Sequence, residues 1–174
     1  ESLKEIFENP DFRPDMVKIY PTMVFEKTAL HNLYKQGKYN PITTERAAEL
    51  IADFFSFVPG YCRVMRVQRD IPTKLAKEGV GRNNLRQYVD DIMKQKGIKS
   101  RDIRAREIGH VLRDREKKDI DPGINVLEYD AADGKEFFIS IEDKNNDAII
   151  GFCRLRFPSQ NLRNEITERS ALIR

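Results

Sequence analysis

The strongest constraint on the fold is a change in hydrophobic pattern near residue 115 of this 174-residue chain. Before that point, apolar residues recur at spacings of three and four, which is typical of amphipathic helices. After it, the pattern shifts to period two, which is typical of strands with one buried face. We therefore expect two domains, covering residues 1–115 and 116–174.

The first part of the chain alternates between strand and helix signals. The predicted strands cover residues 16–20, 61–67 and 98–108, and the predicted helices cover residues 27–36, 44–58 and 85–93. The order strand, helix, helix, strand, helix, strand is typical of the end of a parallel βα array. Three strands cannot close a barrel, so a barrel would need further strands before Glu1.

The second part of the chain predicts an antiparallel meander. Strand-like runs cover residues 124–130, 136–142 and 148–157, and turn signals separate them at Asp133-Gly134 and at residues 144–147. Residues 158–174 have no clear period and are predicted to form a loop. The expected fold class is thus α/β in the first part and α+β in the second.

The positive charge is concentrated in the middle of the chain. The net charge is +3, but residues 60–115 hold 15 Lys and Arg against 7 Asp and Glu, a net of +8. This favours a local anion-binding surface, although solvated helix faces account for about half of the excess. Without a long apolar run or a secretory signal, we expect a cytoplasmic protein in which Cys62 and Cys153 are reduced thiols.

The chemistry-bearing residues do not by themselves form a familiar active site. The two histidines, His31 and His110, have no cysteine or carboxylate at ligand spacing, so no metal site is expected. There is no Gly-rich phosphate loop and no nucleophile elbow. The arginine-rich strand exit at residues 66–70 instead predicts an anionic ligand, because α/β folds bind ligands at strand exits. From the residues alone, a nucleic acid and an acidic protein partner stay open.

Several motifs in fixed order carry a resemblance to a known family. They are KIYPTMV at residues 18–24, RVMRVQRDIP at 63–72, NLR at 84–86, RDIRAREIGH at 101–110 and IEDKNNDAIIGFCRLRFPS at 141–159. Together they closely resemble the catalytic subunit of Elongator, a radical-SAM and acetyltransferase enzyme that modifies wobble uridine in tRNA. The likeness covers nearly the whole chain.

The resemblance implies a composite architecture and three cofactors. Residues up to about 110 would form the C-terminal half of a partial βα barrel of the radical-SAM type. Residues from about 116 would open a Gcn5-related acetyltransferase domain, with tRNA across the cleft between the two. The full-length protein would use S-adenosylmethionine, a 4Fe-4S cluster and acetyl-CoA. The cluster cysteines and the acetyl-CoA loop would lie outside this chain, so we expect the fragment alone to be inactive.

Zinc is not expected, because Ser100, Asp102 and Ala105 stand where many relatives have zinc-binding cysteines. The implied partners are tRNA, a second copy of the chain and accessory Elongator-type subunits, with no membrane contact. The rival hypotheses are a non-catalytic RNA-binding module and a protein-interaction scaffold.

The resemblance also assigns roles to individual residues. Candidate catalytic residues, at the barrel cavity or the strand exit, are Lys18, Tyr20, Gln68, Arg69 and Asp70. Candidate ligands of tRNA phosphate are Arg82, Arg101, Arg104, Arg106, Arg154 and Arg156. Arg69 and Asp70 have an alternative structural role, in which they pair with each other or hold the following loop.

Overall fold

The computed structural model describes residues 2–68, 75–81, 84–113, 119–159, 163–167 and 169–174. Its helices are α1 (Ser2–Glu8), α2 (Ala29–Lys35), α3 (Thr44–Phe55), α4 (Leu85–Gln95), α5 (Ile103–Arg106) and α6 (Ile108–Val111). Its strands are β1 (Met16–Lys18), β2 (Val24–Phe25), β3 (Arg63–Arg66), β4 (Ala76–Glu78), β5 (Pro122–Ala131), β6 (Gly134–Asp143), β7 (Ala148–Phe157) and β8 (Leu172–Ile173). None of the described helices is long and apolar enough to cross a membrane.

Contacts divide the chain into two units. The first contains Glu1–Met16, Val58–Arg63 and Arg101–Arg174, and the second contains Val17–Phe57 and Val64–Ser100. The chain therefore passes between the units more than once. The division predicted near residue 115 rests on sequence pattern and stays a prediction.

Helices α3 and α4 form the core of the second unit, as their apolar stripes predict. The Thr43 hydroxyl accepts a hydrogen bond from the Arg46 amide at 3.2 Å and so caps the start of α3. Phe54 and Phe55 are buried on the face that α3 turns inward. Helix α4 packs against α3 and ends before Gly97, whose φ of +67° is one that glycine adopts without strain.

Short strand pairs complete this part of the chain and confirm its mixed α/β character. β1 pairs with β3, and β2 pairs with β4 in antiparallel orientation. The Arg63 amide donates to the Asp15 carbonyl at 2.9 Å, and the Ile19 amide donates to the Arg66 carbonyl at 2.8 Å. Both segments advance together between these bonds, as parallel strands do. Closure of such strands into a barrel stays a prediction.

The meander predicted for the second part of the chain is confirmed. β5, β6 and β7 are antiparallel neighbours, and the residues between β5 and β6, Ala132 and Asp133, have φ values of 44° and 55°. Two consecutive positive φ values are the geometry of a tight type I′ hairpin. The stretch predicted as a loop contains β8, which pairs with β7 through Leu155 and Ile173.

The two faces of the meander differ in burial. On one face, Phe138 and Ser140 are buried. The ring of Tyr129 stacks on that of Tyr61, with centroids 3.9 Å apart. Burial, with a smaller effect of nearby carboxylates, raises the pKa of Tyr129 to about 12. The opposite face is open, since Ile124 is 78% exposed, and it carries the exposed pair of Lys135 with Glu128.

The strand predicted over residues 98–108 was wrong. In that stretch, α5 covers Ile103–Arg106 and α6 begins at Ile108. The buried Asp102 carboxylate accepts the Arg104 amide at 3.3 Å, which starts the first helical turn. A capped turn of this kind offers the backbone an alternative to the sheet. This correction changes which arginines share a face of the segment.

Candidate nucleic-acid interface

The candidate catalytic residues of the second unit lie at the end of the short β1–β3 pair. Lys18 and Tyr20 are exposed, two residues apart. Gln68 is half-buried, and its side-chain oxygen accepts the Leu85 amide at 3.4 Å. Leu85 is the first residue of α4, so Gln68 satisfies one of the amides that have no partner within the helix. The structure thus gives Gln68 a local structural contact.

Three further predicted site residues cannot be placed. Arg69, Asp70 and Arg82 lie outside the described residues. Their assignments stay predictions.

Arg106 is buried, although it belongs to the most arginine-rich motif of the chain. It is 4% exposed and pairs with the Glu142 carboxylate on β6. Its Nε also lies 3.2 Å from a carboxylate oxygen of Asp147. An arginine engaged in this way holds α5 against the sheet, and exchanging these carboxylates for phosphate would remove the charged partner of Glu142.

Glu142 is correspondingly held in its charged form. Burial alone would raise the pKa of this carboxyl, but hydrogen bonds from Arg106 and Ser140 together with the charge of Arg106 outweigh burial. The pKa of Glu142 therefore lies below its usual range. Asn125 donates a further hydrogen bond to the same carboxylate at 3.3 Å.

Arg101 and Arg104 differ from Arg106 because they reach solvent. The side chain of Arg101 is 47% exposed and lies 2.6 Å from the Asp147 carboxylate. Arg104 is exposed on α5. Arg104 and Arg106 are two positions apart, which places them on opposite sides of a helical turn, whereas a strand would have placed them on one face. The segment thus turns Arg104 outward and Arg106 inward.

Glu107 pairs with an arginine from another part of the sequence. Its carboxylate lies 3.1 Å from the Arg63 guanidinium at the start of β3. Both side chains are partly exposed. The pair therefore links α5 and α6 to residues 58–63 of the same unit.

Arg154 and Arg156 point into the first unit. Arg154 is 7% exposed and donates to the Tyr61 carbonyl at 2.6 Å, and its Nε faces an Asp15 carboxylate oxygen 3.1 Å away. Arg156 donates to the Glu136 carboxylate at 2.7 Å and to the Ala131 carbonyl at 2.9 Å. Their predicted contact with phosphate stays untested, but their guanidinium groups have internal partners.

One ionic network was missed by the sequence analysis. Glu136 is 2% exposed and accepts hydrogen bonds at 2.7 Å from both Arg156 and Arg174. Arg174 also pairs with Asp15. Glu136 and Arg156 face each other across the β6–β7 register, so a correct strand alignment would have revealed that pair. Asp15 is distant in sequence from the other members of the network, so no local pattern predicts its pairing with Arg174.

No metal centre is formed by the residues that the structure describes. Among them, no group of three or more His, Cys, Asp and Glu side chains is placed to hold an ion. Cys62 is fully buried, and burial, followed by the charge of Asp102, raises the pKa of its thiol to about 12. Such a thiol is a poor metal ligand, because the thiolate is the coordinating form.

Comparison with known proteins links this geometry to a family. Residues 14–95 match the Radical_SAM C-terminal domain. The chain is 46% identical, over 98% of its length, to a Methanocaldococcus jannaschii protein named tRNA uridine(34) acetyltransferase. It is 40% identical, over its full length, to Elongator complex protein 3 of Saccharomyces cerevisiae. The chain is thus similar to these two relatives over nearly its whole length.

A solved structure agrees with the sequence relationship. The archaeal Methanocaldococcus infernus Elp3 with an N-terminal deletion matches with a TM-score of 0.92 and 42% identity, over 98% of this chain and 41% of that one. The chain spans 32% of the length of the Methanocaldococcus jannaschii relative and 32% of the yeast relative. Within the family match, the Radical_SAM region includes Lys18, Tyr20 and Gln68 and ends before Arg101.

Proposed function

We propose that this chain is part of an Elongator-type tRNA uridine(34) acetyltransferase. The full-length protein would use acetyl-CoA and S-adenosylmethionine radical chemistry to form a carboxymethyl-type modification on wobble uridine. The observation that carries the proposal is the 46% identity, over 98% of the chain, to a relative with that name. The solved relative shares the fold with a TM-score of 0.92, and function is argued from the residues of the site.

The part of the reaction that we assign to this chain is binding of tRNA phosphate by Arg101 and Arg104. A surface ion pair such as Arg101–Asp147 contributes about 0–1 kcal/mol, so it exchanges for a phosphate at small cost. Arg106 is a positioning residue in this proposal, because its buried pairs fix the helical turn that turns Arg104 outward. A guanidinium binds phosphate oxygens in a bidentate manner, which favours arginine over lysine here.

The second unit would contribute the edge of the radical-SAM cavity. Lys18 and Tyr20 are exposed at the β1–β3 pair, which supports a place for them facing substrate or cofactor. Gln68 would hold the start of α4 in position through its bond to the Leu85 amide. Arg69 and Asp70 keep their proposed place at the strand exit on the strength of sequence alone.

The described residues do not fit an iron–sulfur cluster. Cluster ligands are thiolates, and Cys62 is buried with a raised pKa. Cys153 is half-buried on β7, and two cysteines are fewer than the four thiolates that usually hold such a cluster. In the proposal, the cluster, S-adenosylmethionine and acetyl-CoA are bound by parts of the longer relatives that this chain does not span.

The proposed partners are tRNA and accessory Elongator-type subunits, in the cytoplasm. A homodimer stays a prediction. An acidic protein partner would use the same exposed arginines, so salt dependence and nucleic-acid competition separate it from tRNA.

Fluorescence anisotropy of labelled tRNA, titrated with the protein at several salt concentrations, tests the proposal. The test variant is Arg101→Glu/Arg104→Glu, and the matched control is Lys35→Glu/Lys38→Glu, which makes the same charge change at exposed residues of the second unit. We expect steep salt dependence in the wild type and in the control, and weak binding by the arginine variant. Equal binding by both variants would place tRNA on another surface. A folded protein that does not bind tRNA would favour the scaffold hypothesis.

A further inference from the structure

A groove lies along α6 in the first unit. It has a volume of about 240 Å³ and is lined by Ile108, Gly109, Leu112, Arg113 and Ile120. Pockets for drug-sized ligands usually have volumes of about 300–1,000 Å³, so this groove suits a single ring system. Its lining is apolar apart from Arg113, and Ile120 is 41% exposed at its border.

Gly109 keeps the groove open. A Cβ atom added at this glycine would meet no heavy atom within 4 Å, and the residue does not have a positive φ. The backbone of α6 thus has no need of a glycine at this position. What the missing side chain provides is free space at the groove.

A fixed cation borders the same groove. The Arg113 guanidinium lies 3.0 Å from Nδ1 of His110. Because arginine has only donors, Nδ1 of His110 is the acceptor in this contact. The contact with His110 thus orients Arg113 at the border, and Arg101 and Arg104 belong to the same sequence segment.

An apolar floor with a fixed cation at its border matches the chemistry of a nucleotide. A base stacks or packs on apolar surface, and its phosphate pairs with arginine. We propose that this groove binds one unstacked base of the RNA, with the adjoining phosphate on Arg113. The inference rests on the proposed function, and it names a base-binding site in addition to the phosphate contacts of Arg101 and Arg104.

Filling the groove from within tests the inference. Gly109→Leu places an apolar side chain in the free space, and Gly81→Leu is its control, since a Cβ at Gly81 also meets no atom within 4 Å. We would measure binding of two fluorescent single-stranded RNA oligonucleotides of equal length, one with all its bases and one abasic, beside labelled tRNA. We expect Gly109→Leu to weaken binding of the base-containing RNAs about fivefold, at the lower end of the loss expected for one stacked base. Binding of the abasic oligonucleotide and all binding by Gly81→Leu should be unchanged.

Two surface variants keep the test independent of any folding defect in Gly109→Leu. Ile120→Ser should reproduce the loss of base preference, and Arg113→Gln should lower the slope of log affinity against log salt by about 0.7. Circular dichroism checks that each variant is folded.

The outcomes separate this inference from the proposed function. If the groove variants bind all RNAs as the wild type does, while Arg101→Glu/Arg104→Glu does not bind, the groove is no base site and the proposed function stands. If the groove variants lose a protein partner and bind RNA normally, the occupant is an apolar side chain, and the inference is overturned. If the folded wild type binds no RNA, both proposals fail together.

Discussion

Two regions of the first unit are rich in arginine, and they use it in opposite ways. In the helical segment of α5, Arg104 is exposed and Arg106 is 4% exposed. On strand β7, both Arg154 and Arg156 have partners inside the unit. The comparison teaches that the number of arginines in a motif does not measure its capacity to bind an anion. The backbone conformation decides which arginines reach solvent. Residues two positions apart lie on opposite sides of a helical turn but on the same face of a strand.

The largest expected effect is the difference in unfolding free energy between variants of a buried and of an exposed arginine. Replacing Arg106 with alanine removes the charged partner of Glu142 and one of the two arginines that pair with Asp147, and we expect the free energy of unfolding to fall by about 3–5 kcal/mol. Arg101→Ala should lower it by less than about 1 kcal/mol. Urea unfolding measures both. The double variant Arg106→Met/Glu142→Leu should recover most of the loss, and similar costs for the two single alanine variants would break the comparison.

The inward arginines of β7 can be examined in the same way. Arg156→Ala removes charged hydrogen bonds to Glu136 and to the Ala131 carbonyl, and we expect a loss of about 2 kcal/mol in unfolding free energy. Arg156→Lys retains the charge but not the planar fork, so it should recover only part of that loss. Full recovery by lysine would show that charge alone matters at this position.

Low pH should weaken the ion pair between Arg106 and Glu142. The folded-state pKa of Glu142 lies below the unfolded value of about 4.3, so its contribution to stability is present above that pH and is lost as pH falls through the folded-state pKa. The stability difference between the wild type and Glu142→Gln should therefore shrink as pH falls below about 4.3. Glu128→Gln, at an exposed carboxylate paired with Lys135, is the control and should show a much smaller change. An equal change in both variants would contradict the special position of Glu142.

The smallest expected effect is a change in the salt dependence of RNA binding when single arginines are replaced. Arg101→Gln and Arg104→Gln should each lower the slope of log affinity against log salt by about 0.7–0.9, which is the contribution of one phosphate contact. Arg63→Gln, at a partly exposed arginine that pairs with Glu107, should leave the slope unchanged. Anisotropy titrations of labelled tRNA at four salt concentrations measure the slope. A lower slope in the Arg63 variant alone would move the contact to β3.

Regular periodicity made most of the fold predictable. The helices α2, α3 and α4 and the three long strands of the meander follow from apolar spacing and turn residues. The pairs β2–β4 and β7–β8 were missed, because strands of two or three residues are too short to show a period. The stretch at residues 98–108 was assigned to a strand because its cap, Asp102, went unrecognised.

The site was only partly predictable for a different reason. Sequence identifies the arginines, but their partners are distant: Arg106 pairs with Glu142, and Arg154 with Asp15. Pairs this far apart in sequence have no local signal. The free space at Gly109 also has no sequence signal, because the sequence does not show whether a helical glycine faces packed side chains or open space.

The stacked rings of Tyr61 and Tyr129 give the protein an optical property of practical use. The chain has no tryptophan, so its near-ultraviolet spectrum comes mainly from six tyrosines. Two of these are held almost parallel, with 13° between the ring planes and 3.9 Å between centroids. Transitions of rings in such contact couple, and the coupling depends on residues 58–63 remaining against β5. Near-ultraviolet circular dichroism should thus record the loss of this contact as a distinct band, without any added label.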